Sequence, residues 1–122
     1  MSSAVPPGWP DAVPPPESPG WQVPATSWLL DHCPPDYRGY AGWRRYPVAL
    51  AWVATRHIEA QLVAMRQAYR EARVELGDLV PADGLAQILA DLESEGVRLL
   101  AARRSAGLVY EALQGKRYVP RL

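Results

Sequence analysis

Proline decides where this chain can be helical. Eleven of its thirteen prolines fall within the first 47 residues, and beyond Pro47 only Pro81 and Pro120 remain. A proline fixes φ and has no amide hydrogen, so helix interiors and central strands exclude it. Long helices are therefore confined to two windows, one from Pro47 to the Gly77–Pro81 break and one from Pro81 to Gly115.

Residues 1–24 carry eight of the prolines. The composition predicts an extended, polyproline II-like or disordered arm. All five tryptophans, Trp9, Trp21, Trp28, Trp43 and Trp52, lie within the first 52 residues. Trp9 and Trp21 are unusual in a merely solvating tail, since each buries a large apolar area once it finds a groove. Residues 25–46 hold a predicted short helix, Ala25–Cys33, capped by Thr26 or Ser27 and ended by Pro34–Pro35. A glycine-punctuated aromatic loop follows it.

Residues 47–115 read as a helical hairpin. Pro47 stands where a helix tolerates proline, at its first position. From there Val48, Ala51, Thr55, Ile58, Leu62, Met65, Tyr69, Ala72 and Leu76 alternate spacings of 3 and 4, which is a coiled-coil seam. Gly77 fits the C′ position that ends such a helix. The second helix carries a matching seam through Leu85, Leu89, Leu92, Gly96, Leu99, Ala106, Tyr110 and Leu113, with Arg103 on it. An overlapping stripe through Ile88, Ala102 and Val109 gives a wide apolar face for more than one neighbour. Gly115 ends this helix, and residues 116–122 form a basic tail.

The short turn predicts antiparallel neighbours in which Met65 faces Gly96 and Tyr69 faces Leu92. The same register sets Arg66 beside Glu95, Arg70 beside Asp91 and Glu59 beside Arg103. The expected fold class is all-α: an antiparallel two-helix hairpin with one short helix and an N-terminal arm. A bare hairpin buries too little apolar surface, so it needs the Trp28/Leu29/Leu30 segment, a second copy, or both. Both are expected, with pairing into a four-helix bundle as a homodimer.

The formal net charge is zero, which disfavours a nucleic-acid binder. Cys33 is the only cysteine, so no internal disulfide forms. No apolar run approaches the roughly 20 residues of a membrane span, and the N-terminus lacks the pattern of a secretory signal. A cytoplasmic location is the expectation.

Asp31, His32, Cys33 and His57 are the one cluster of metal-ligand types. They lack the paired spacings of a zinc site, and no cofactor or metal is expected. Cys33 with His57 lacks the third group and oxyanion donors of a nucleophilic site. Facing carboxylates on the long helices lack the Glu-x-x-His pattern of a di-metal bundle. Pro34-Pro35-Asp36-Tyr37 and the Pro14–Pro19 stretch match peptide-ligand patterns that any proline-rich segment generates. The sequence thus favours a non-enzymatic helical adaptor. The hairpin is expected to dimerise and the arm to clasp its dimer mate or a different protein, with Trp9, Trp21, Tyr37, Tyr40, Trp43, Arg44 and Arg45, residue types that dominate interface hot spots, as the partner surface. The alternative is a regulator that touches nucleic acid or a transcription complex through Arg38, Arg44, Arg45, Lys116, Arg117 and Arg121.

Overall fold

The computed structural model describes residues 5–120. They form α1 (Gln22–Leu30), a 3₁₀ turn (Pro35–Gly39), α2 (Ala41–Arg45), α3 (Pro47–Leu76) and α4 (Ala82–Leu113). α3 and α4 hold 30 and 32 residues and pack against each other as the antiparallel hairpin. At 1.5 Å per residue the rod is about 45–50 Å long. The end carrying the start of α3 and the end of α4 is its base; the 77–81 turn is its tip.

Both helix starts use proline where the missing amide costs nothing, since the first amides of a helix have no partner in it. Pro47 is the first residue of α3, and Pro81 caps α4. At the tip the Leu79 and Val80 amides both donate to the Leu76 carbonyl, at 2.9 and 3.0 Å. Gly77 keeps a right-handed φ of −54°, so these turn bonds, rather than a left-handed glycine, end α3. Gly115 does close α4, with φ of +85°. Its amide donates to Ala112 and that of Lys116 to Glu111, the paired bonds of a Schellman end.

The predicted register holds. Leu62 packs with Leu99 and Ile58 with Ala102 and Ala106 in one buried cluster, and Met65, Tyr69, Leu92 and Gly96 line one groove further toward the tip. The predicted charge pairs do not form. Among the described residues the ion pairs are Arg38–Asp31, Arg98–Glu95 and Arg117–Glu17. The reason is rotational, because successive helical residues turn by about 100°. Arg66 and Arg70 lie on one side of the seam, whereas Asp91 and Glu95 lie on the other. Glu95 instead accepts from Arg98 Nε at 2.9 Å, and Asp91 accepts from Gln87 at 3.0 Å. Glu59 and Arg103 share a side without closing to 4 Å.

α1 lies across both long helices at the base. Ala25, Leu29 and Leu30 are buried there against Leu50, Ala54 and Val109. This contact moves burial at the start of α3 away from the predicted Val48 and Thr55. It also covers the Ala102/Val109 stripe of α4, as expected of the Trp28/Leu29/Leu30 segment. α1 begins three residues earlier than predicted, because Pro24 sits in its first turn. Thr26 is therefore not a cap; its buried hydroxyl donates to the Gln22 carbonyl at 2.8 Å.

The arm has no helix before Gln22, as its prolines demand, yet it does not stand free over residues 5–21. It is a chain of turns in which amides donate three residues back: Trp9 to Pro6, Val13 to Pro10, Ser18 to Pro15 and Trp21 to Ser18. Each turn drops an apolar side chain onto the base, and Pro6, Pro10, Val13 and Trp21 are buried. α4 holds the arm by its carbonyls. Arg104 Nε donates to Pro7 O at 3.0 Å, and Ser105 Oγ donates to Gly8 O at 2.7 Å. Gly8 is required at this approach: its φ is +97°, and a Cβ there would lie 2.7 Å from Arg104 Nε.

Candidate functional site

Four of the seven predicted partner-binding residues are committed to packing. Trp21 is only 5% exposed and belongs to the basal core, so it cannot face a partner. Trp9 lies with its ring 5.9 Å from that of Trp21, and its Nε1 donates to Val13 O at 2.9 Å. Tyr37 stacks on Trp43 at 5.2 Å, and its hydroxyl lies 2.9 Å from His57 Nε2. These aromatics cover the core. Tyr40, Arg44 and Arg45 remain exposed, joined by Tyr46, which is not one of the seven. Arg44 donates to the Arg38 carbonyl, and Arg38 pairs with Asp31, so this segment is held rigidly.

Arg45 meets Lys116 and Arg117 at a basal cleft of about 840 Å³ that also includes Tyr46 and Tyr118. Arg117 is engaged there by Glu17 at 3.0 Å, and Arg121 lies outside the described residues.

Asp31, His32, Cys33 and His57 line one hollow of about 540 Å³, closed by Gln61 and Arg98. Among the described residues no three His, Cys, Asp or Glu side chains converge as a metal would require. Burial pushes the Cys33 thiol pKa up, with Arg38 opposing, so it is held as the thiol rather than the nucleophilic thiolate. His32 packs edge-on against Trp28 at 4.5 Å. Its pKa is lowered from 6.5 by burial and then by Arg98, with Asp31 opposing.

That shift predicts a pH effect. The fold favours neutral His32, so its contribution is complete above about pH 6.5 and is lost as pH falls through the lowered folded value. Wild type is expected to lose more thermal stability than His32→Gln between pH 7.5 and pH 5. Equal losses in the two proteins would refute the assignment.

The largest unexplained feature is the opposite face of the hairpin. On α3, His57 and Gln61 turn toward α1, whereas Arg66 and Arg70 turn away from it. On α4, Arg98 turns toward α1, whereas Glu93, Val97 and Leu100 turn away. α1 and the basal hollow thus occupy a front face, and the middle and tip of the back face have no cover from the described residues. Its middle is a groove of about 460 Å³ with Met65, Tyr69, Leu92 and Leu100 on its walls and Gly96 between them. Toward the tip it runs into a second hollow of about 360 Å³ beside Leu85 and Leu89, with Glu93 lining both. Nearer the base, beyond Glu59, Trp52 is exposed on the same side of α3, and Val48 lines the basal cleft. Trp52 is 43% exposed, with the Arg56 guanidinium 4.1 Å above its ring. Val97 is 66% exposed in mid-helix. Scattered apolar residues on a surface are ordinary, whereas a contiguous strip marks an interaction site.

No family model matches the chain, and comparisons with curated proteins and with solved structures return no match. No helix among the described residues is long and apolar enough to cross a membrane.

Proposed function

We propose that the protein is a non-enzymatic helical interaction module that acts as a homodimer in the cytoplasm and presents a second surface to another protein. The back face carries this reading. It is an apolar strip along a rod whose front is already used by its own chain, and two-helix rods of this kind gain their stability from a further helical layer. The exposed Tyr40/Arg44/Arg45/Tyr46 segment is the second surface, since tyrosine and arginine on a rigid support are the residues that anchor interfaces. The lone cysteine accords with a reducing compartment.

Light scattering on the full chain, from about 1 to several hundred micromolar, tests the first half. The mass is expected to rise toward twice 13.5 kDa. A mass that stays at 13.5 kDa throughout would remove the homodimer.

The nucleic-acid alternative rests on the basal cleft, where Arg45, Lys116 and two tyrosines meet. It requires binding to DNA or RNA that falls steeply with salt. No binding at low salt would discard it.

A further inference from the structure

The back face is too specific in its charges to be a generic sticky surface. Its α3 wall carries Glu59 near the base and Arg66 and Arg70 in the middle. Its α4 wall carries Arg103 near the base and Glu93 in the middle. Arg66, Arg70 and Glu93 all line the central groove, yet none of these five residues closes an ion pair with the described residues of its own chain. At these two heights each wall therefore bears the charge opposite to the other's, and Arg56 over Trp52 and Arg73 in the tip hollow stand outside the pattern.

We infer that a second copy of this chain occupies the back face, related to the first by a twofold axis parallel to the hairpin. This geometry rests on the homodimer reading and specifies it. Such an axis lays α3 of one copy over α4 of the other at equal height and in opposite directions. Met65 and Gly96 share a height, so residues meeting across the interface have numbers summing to about 161. Glu93 of the second copy then falls between Arg66 and Arg70. Its Arg103 falls beside Glu59. Symmetry makes each contact twice. A twofold axis perpendicular to the rod near its midpoint would instead lay α3 on α3, bringing Arg66 against Glu59 of the second copy but leaving Arg70 against Thr55, without the acid that the parallel axis supplies. The front face is not an alternative, because α1 and the arm occupy its base.

The area suffices. A rod about 45 Å long, with helices about 10 Å apart and side chains outside them, offers a face on the order of 900 Å². Stable interfaces bury about 800 Å² on each partner. Gly96 supplies the shape: its missing side chain leaves the dip that Met65 and Tyr69 of the second copy can fill. The result is a four-helix bundle with a front layer, α1 and the arm, on each outer side.

The test is a charge exchange in the full chain, read by analytical ultracentrifugation with helix content checked by circular dichroism. Glu93→Arg alone and Arg66→Glu/Arg70→Glu together change only exposed side chains. Each variant is expected to dimerise at least about tenfold more weakly than wild type, since each sets like charges against each other twice. Mixing the two restores opposite charges at both contacts, and the heterodimer is expected within about threefold of wild-type affinity. Dimers of either single variant as tight as wild type, or no recovery on mixing, would overturn this arrangement while leaving the homodimer standing. A wild-type chain that is monomeric at every concentration would overturn both.

Discussion

Trp21→Ala is expected to cost about 3–5 kcal/mol of folding stability, the largest effect of any single truncation in the basal core. Trp21 is the residue before α1, and its ring is buried in the cluster that includes Leu29, Leu50 and Val109. Removing it takes the floor from under Trp9 and loosens the arm and α1 together. Urea denaturation measures this as a lower midpoint. Val74→Ala is the control: Val74 is 86% exposed on α3, and its loss should register within about 0.5 kcal/mol. If Trp21→Ala were as silent as the control, the arm would not be docked on the base in solution.

Trp28→Ala is expected to cost about 3 kcal/mol, near the lower end for a tryptophan because its ring is only partly buried. Its importance comes from position. The buried residues form two clusters, one under the arm and α1 and one within the hairpin, and Trp28 packs against both. Its loss should therefore not add simply to that of Ile58→Ala in the hairpin cluster. A double-mutant cycle is expected to give a coupling between about 0.5 and 3 kcal/mol. Additive losses would mean that the clusters are energetically separate and that Trp28 does not link them.

The hairpin was legible in the sequence because it rests on local rules. Pro47, the Gly77–Pro81 break and Gly115 mark its ends, and the 3/4 spacing of Ile58, Leu62, Met65, Leu89, Leu92 and Leu99 sets the register. The charge pairs were not legible. A register fixes height along the rod, whereas pairing also depends on which side of the seam each side chain leaves, and Asp91 and Glu95 leave on the side away from Arg66 and Arg70. The turns of the arm were not legible, for a different reason. Its prolines forbid a regular helix, but the same fixed φ favours tight turns. What decides between extension and turns is the basal groove, made by residues about a hundred positions away. Of the candidate site, the aromatic residues were visible, but their direction was not: Trp9, Trp21, Tyr37 and Trp43 face inward and Tyr40 outward. The back face was half visible as the excess apolar width of α4.

The bonds from Arg104 and Ser105 to the arm join residues 97 positions apart. On an elongating chain the arm is therefore made about a hundred residues before its acceptor. The helix pair can close from its tip through short loops, so it forms early. Trp9 and Trp21 emerge before the hairpin and have nowhere to go until the last turns of α4 are made. At about 5–20 residues per second, that interval lasts on the order of 5–20 s. For that time the largest side chains of the folded base are exposed on the nascent chain, and the prolines between them keep them from collapsing into a helix of their own.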